Sequence, residues 1–157
     1  PHMASVLDLE RHAQLPEVLD WAEEASQFVE IIMIIPKAFG IIGALPRRIN
    51  DREVRLGYSI PTRHGGTEVP IWEFEGWPVH LLGGSPHKQM QIARYFGHVA
   101  SADGNYTAKM ATRFCEVWRD GRFVELCDDA GEMFENDAPY EAFRRSCKNV
   151  IAAWRRV

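Results

Sequence analysis

Four short segments hold the residues whose types and order can do chemistry. They are Pro36-Lys37, Tyr58-Ser59-Ile60-Pro61-Thr62, Gly83-Gly84-Ser85-Pro86 and Ser101-Ala102-Asp103-Gly104-Asn105. Asp103 is the acid among them. A carboxylate raised above a Gly-Asn turn can serve as nucleophile, as base or as counter-charge to a developing cation. In isolation the same aspartate reads as an Asx turn or a helix cap. Gly83 and Gly84 let a ligand approach the backbone closely, and a helix starting after Ser85 offers free N–H groups to an anion or a carbonyl oxygen. A tight turn with a serine cap accounts for the same residues. Lys37 is either a solvated charge behind Pro36 or a donor to a ligand carbonyl or phosphate.

These segments gain meaning from the elements that must position them. Residues 7–28 read as helix, with Pro16 starting a second helical stretch. Val29 to Ile35 is apolar throughout, as in a strand covered on both faces. Ala38 to Leu45 reads as a short helix. Strands follow at Val54–Ile60, Val79–Leu82 and Val99–Ala102, and helices at Pro86–Phe96 and Tyr106–Trp118. Asp120-Gly121 signals a turn before a small edge strand, Arg122–Leu126. Residues 139–156 read as a last helix, with Phe143, Cys147, Val150, Ile151 and Trp154 as its apolar side and Arg and Lys opposite. Alternating strands and helices predict an α/β fold of about four parallel βα units with a C-terminal helical cap. In such folds ligands sit at the carboxyl ends of the strands, where all four segments lie.

Composition limits the function classes. The chain has 157 residues, enough for one domain. Residues 1–3 read as a tag remnant and 4–157 as a single α/β domain. Its 5 Trp, 8 Phe and 4 Tyr exclude disorder as the main state. Cys115, Cys127 and Cys147 read as core thiols, odd in number and far apart, which suits a reducing cytoplasm. No metal or other cofactor is expected, since no CxxC pair or zinc-finger spacing occurs. The run Ile31–Ile35 is too short to span a membrane, and no membrane partner is expected. A net charge of −4 disfavours a general nucleic-acid coat. A local patch remains: from Arg47 to Arg63 there are five Arg against Asp51 and Glu53. Arg47, Arg48, Arg52 and Arg63 are the candidates to hold phosphate, with His64 as a loop contact; a solvated face is the plainer account.

Together the strand ends resemble the carboxy-terminal half of the tRNA-guanine transglycosylase barrel and of its DNA-acting relatives that insert 7-deazaguanines. The resemblance runs over residues 15–115. It rests on the helix Leu19–Phe28 leading into Glu30–Lys37, on Arg55-Leu56-Gly57-Tyr58-Ser59, on His80-Leu81-Leu82-Gly83-Gly84-Ser85-Pro86, and on Val99-Ala100-Ser101-Ala102-Asp103. It implies half of a TIM-like barrel, nucleobase handling, and exchange or cleavage of an N-glycosidic bond. Asp103 would then be the catalytic carboxylate at C1′. Lys37, Tyr58, Ser59, Ser85 and Asn105 would contact the substrate, with Gly83 and Gly84 allowing close approach. The family's zinc-binding cysteine cluster and the Pro-Thr-Arg after its aspartate are missing, and Lys37 stands where a Gln-Gly pair belongs. Four βα units cannot close a barrel, so a homo-oligomer or a partner would complete it, with nucleic acid held by the Arg patch. The alternative is a non-enzymatic binding module for a nucleotide, a nucleic acid or a protein, keeping the pocket without the chemistry.

Overall fold

The run Ile-Ile-Met-Ile-Ile-Pro forms a strand buried at every position, and the rest of a sheet is laid on its two sides. The computed structural model describes residues 2–63, 65–126 and 138–157. His64 and Cys127 lie outside the described residues. By contacts the chain divides into two compact units, residues 1–82 with 95–103 and residues 83–94 with 104–157.

The first unit is a six-stranded sheet. Its strands are β1 (Met3–Leu9), β2 (Ile31–Pro36), β3 (Arg48–Ile49), β4 (Arg52–Ser59), β5 (Val79–Leu82) and β6 (Val99–Ala102). The spatial order is β1-β2-β4-β5-β6, all parallel, with β3 antiparallel to β4 in a hairpin. The α/β class and the three strands expected near 54–60, 79–82 and 99–102 are present. The expected helix over 7–28 is not. It is replaced by β1, a turn of 3-10 helix at His12–Gln14, and α1 (Leu15–Ala25) with Pro16 in its first turn. Val6, Leu7 and Leu9 suit either period. Pairing of Met3 with Ile31 and of Leu9 with Pro36 decides for strand, because a strand buried on both faces needs a neighbour at each edge. The parallel strands therefore number five. α1 packs on β1 and β2 and buries Val18 and Ala22, with Ser26 buried just past its end. The short helix expected over 38–45 is only the 3-10 turn Ile42–Ala44.

Side chains alternate across the sheet. One face carries Ile32, Ile34, Val54, Leu56, Tyr58, Val79 and Leu81, in register, each 5% exposed or less. Tyr58 continues this face into an aromatic cluster, with ring centroids 5.3 Å from Phe74 and 5.1 Å from Phe96. Burial pushes the Tyr58 phenol up from its ordinary pKa.

The second unit contains α2 (Pro86–Ala93), α3 (Tyr106–Phe114), the hairpin β7 (Glu116–Arg119) and β8 (Arg122–Glu125), and α4 (Ala138–Trp154). The helix expected over 106–118 stops at Phe114. Cys115 takes a left-handed conformation there, φ 52°, and its N–H still bonds Ala111. Asp120 (φ 48°) and Gly121 (φ 88°) then make the two-residue hairpin turn, both with positive φ. α4 is the expected C-terminal helix, but its buried face is Ala138, Ala142 and Ser146. Phe143 and Ile151, expected inside, are exposed. Small residues win because α4 lies close against β7: the Ser146 hydroxyl accepts from Trp118 N–H at 2.9 Å, and the Asn149 amide donates to Trp118 C=O at 2.8 Å. These side chains satisfy the outer backbone groups of an edge strand.

Gly57 is where the sheet is tightest. A Cβ there would sit 2.7 Å from Leu82 Cδ1, 2.8 Å from Ile35 Cγ1 and 3.3 Å from Met33 Sδ. Three neighbours on two flanking strands would have to move together. Gly57→Ala is expected to destabilise the protein by about 1–3 kcal/mol through overpacking. A thermal melt checks this, and an unchanged midpoint would show that the face yields freely.

Candidate functional site

The polar face of the sheet is opposite the apolar one. Register places Glu53, Arg55, Gly57 and Ser59 of β4 on the same side as His80 and Leu82 of β5. On β6 the regular register breaks: Val79 pairs with Val99, but His80 pairs with Ser101. This one-residue irregularity brings a hydroxyl, rather than Ala100, beside the imidazole.

The result is a file of polar side chains. Arg55 holds the Glu53 carboxylate through Nε at 3.2 Å and Nη2 at 3.0 Å. Its Nη1 donates to Ser101 Oγ at 2.9 Å. Ser101 Oγ lies 2.7 Å from His80 Nδ1. His80 Nε2 lies 3.6 Å from the Asp103 carboxylate, an electrostatic contact just beyond hydrogen-bond length. Since Ser101 accepts from Arg55, its own proton serves Nδ1. The neutral ring then carries its proton on Nε2, facing Asp103. His80 is 4% exposed. Burial lowers its pKa below the ordinary histidine value; Asp103 opposes that shift, and the Arg55 charge adds to it. Asp103 itself keeps 58% of its side chain open. Its backbone N–H bonds Leu81 C=O at 3.0 Å, which fixes the residue at the carboxyl end of β6.

Other expected site residues fall in different places. Ser59 shares the polar face at the carboxyl end of β4 and is half-buried. Lys37 follows β2, with Nζ 3.5 Å from the Asp8 carboxylate and 3.4 Å from Gly66 C=O. Tyr58 does not join them. Alternation turns it to the opposite face, into the aromatic cluster.

The arginines do not form one patch. Arg47 donates to Gly76 C=O at 2.6 Å and stacks 3.6 Å above the Trp77 ring. Arg48 donates to Asp51 C=O, and Arg52 Nε to Ser26 C=O at 3.2 Å. These three sit at the start of β4, satisfying backbone carbonyls, whereas Arg63 follows its far end. An eight-residue strand separates the two groups by roughly 25 Å.

The remaining candidates belong to the second unit. Gly83 and Gly84 both take positive φ, 69° and 75°. The Gly83 carbonyl accepts from Gln89 Nε2 at 2.9 Å. Ser85 is the expected cap of α2, its hydroxyl accepting from Lys88 N–H at 3.3 Å. Asn105 precedes α3, and its carbonyl accepts from Lys109 N–H at 2.8 Å. Among the described residues no three His, Cys, Asp or Glu side chains gather to hold a metal ion, and no helix is long and apolar enough to cross a membrane.

Arg55, His80 and Ser101 stand within the quoted motifs, but motif reading assigns them no role. The available signal was spacing: His80-x-Leu82, Ser101-x-Asp103 and Arg55-x-Gly57-x-Ser59 are period-two strand ends with polar residues on one side.

A family of unknown function, DUF6610, matches residues 1–155. The chain belongs to the DUF6610 family. No curated protein and no solved structure matches it. The polar file is therefore the feature from which the chain's chemistry must be argued.

The lowered pKa of His80 gives a pH test. The unfolded chain takes up the proton at the ordinary value near 6.5, and the folded one only at lower pH. Stability from a neutral His80 is thus complete above the unfolded value and is lost as pH falls through the folded one. Melting midpoints from pH 8 to pH 5 are expected to fall more steeply for the wild type than for His80→Asn. Parallel curves would show that His80 titrates as it does unfolded.

Proposed function

We propose that this chain handles a nucleobase at the carboxyl ends of its parallel strands, as the enzyme that exchanges or cleaves an N-glycosidic bond. The observation that carries the reading is the Asp103 carboxylate, open to ligand yet held against a buried His80 that Ser101 and Arg55 fix in place. Such a carboxylate is preorganised to meet positive charge. Breaking the bond from C1′ to the base leaves the electron pair on the base and positive charge on the sugar. An Asp103 oxygen opposes that charge or bonds to C1′, and an incoming base or water then displaces it. His80 positions Asp103. Lys37 and Ser59, at neighbouring strand ends, are donors for the base.

The strand order supports a half-barrel reading. Each parallel strand lies beside the parallel strand before it in the chain, which is how a TIM-like barrel is wound. Among the described residues β1 and β6 each have one strand neighbour, so a second copy or a partner could add to either edge.

A second reading is a binding module without turnover. It is favoured by the one other carboxylate of the file, Glu53, being committed to Arg55. No second acid of the file is left for proton transfer.

Exchange of labelled guanine or a 7-deazaguanine into DNA and RNA tests both. Asp103→Asn keeps size and removes charge. Turnover is expected to fall by about two to four orders of magnitude while base binding changes little. Wild-type exchange that survives the substitution excludes Asp103 as the catalytic group. Base binding without any exchange selects the binding module.

A further inference from the structure

The second unit encloses a cavity of about 590 Å³ on its own, walled by α2, the β7–β8 turn and α4. That volume suits a ligand the size of a nucleotide. On α4 the wall is formed by residues 145, 148, 149, 152 and 153. Their spacing of three and four places them on one helical face. Arg145 and Lys148 on this face are joined by Arg156 just past the end of α4, Arg94 at the end of α2 and Arg119 at the end of β7. Arg145 also bonds Glu141 at 2.6 Å, so its charge is partly spent within the helix. Asp120 is the acidic side chain among the described wall residues. Ala152 and Ala153 leave room between the cations.

We infer that this cavity binds the phosphate of a nucleotide, through Arg94, Arg119, Lys148 and Arg156. Arg94, Arg119, Lys148 and Arg156 are solvent-exposed on one concave wall, where like charges repel one another and an anion between them relieves that repulsion. Guanidinium forks match phosphate oxygens two at a time. Trp118 also lines the wall and is itself buried, 4% exposed, so it gives the cavity a fixed floor. Met90, Val117 and the two alanines supply apolar surface for the rest of the ligand. The inference is independent of the role given to Asp103.

The phosphate can arrive on a free mononucleotide or within a strand. Fluorescence anisotropy with a labelled oligonucleotide of about twelve nucleotides, at about 50 mM salt, reads the strand arm. Competition by an unlabelled nucleoside 5′-monophosphate, with direct calorimetry, reads the free arm. At least one probe is expected to bind. The double variant Arg119→Ala/Lys148→Ala is expected to weaken binding by at least roughly tenfold, and Arg156→Ala alone by a smaller factor. Arg156 lies beyond the last turn of α4, so this variant keeps the test open if the double variant fails to fold. Arg113→Ala, outside the cavity, should bind as the wild type does. No binding of either probe, equal binding by the variants, or equal competition by polyglutamate would each overturn the inference.

Discussion

The period-two alternation of β4, locked in register between β2 and β5, is the constraint on which the first unit depends. It sends Val54, Leu56 and Tyr58 to an apolar face, and Glu53, Arg55 and Ser59 to the other. A slip of one residue would bury Arg55 among Ile32, Ile34, Val79 and Leu81 and would set Leu56 among the polar side chains of the other face. The cost of that exchange is several buried side chains at roughly 1.5–3 kcal/mol each, plus an unpaired guanidinium. Register is therefore set by the apolar face. The polar face inherits its geometry.

Edge strands adjust what the central strands fix. β6 departs from regular register between Val99 and Ser101, and this brings Ser101 beside His80. β1 does the same at the opposite edge: Ser5 pairs with Met33, but Asp8, not Leu7, pairs with Ile35. Leu9 then reaches full burial opposite Pro36, and Asp8 stands 3.5 Å from Lys37. Both irregularities fall in the carboxyl-terminal part of the sheet. Bulges re-aim side chains without disturbing the pairing before them. Here they turn two edges of an apolar sheet toward polar company. Burying His80 and most of Arg55 is tolerable because each has charged or hydrogen-bonding partners on both sides.

Much of this was legible in the chain itself. β5 and β6 were readable to the residue, because short apolar runs end in Gly83-Gly84 and in Asp103-Gly104. α2 was readable at its start, from Ser85-Pro86. β1 was not, since its apolar residues fit helix and strand alike and only pairing with β2 decides. The inner face of α4 was misleading for another reason. Bulk suggested Phe143 and Ile151, but hydrogen bonds to an edge strand demand close approach, which Ala142, Ser146 and Asn149 permit. The candidate site was half legible. Asp103, Ser59 and Lys37 come from the rule that parallel strands present ligands at their carboxyl ends. His80 stayed hidden because its partner depends on a register irregularity that no local pattern encodes. Arg63 stands apart from Arg47, Arg48 and Arg52 because closeness in sequence along a strand is distance in space.

Net charge is similarly blind to placement. A chain of charge −4 is a poor general coat for nucleic acid. Yet residues 144–157 contain five Arg or Lys side chains and no Asp or Glu. Some of that excess suits the negative end of α4's dipole and needs no ligand. The dipole acts only within the last turn, however, and Arg145 and Lys148 lie before it. Their common face follows from the docking of α4 on Trp118, since Ser146 and Asn149 fix the rotation of the helix about its axis. The same contacts that hide the small residues thus turn these cations, with Ala152 and Ala153 between them and Arg156, toward the cavity. Helix rotation gathers on one concave wall positive charge that the whole-chain total hides.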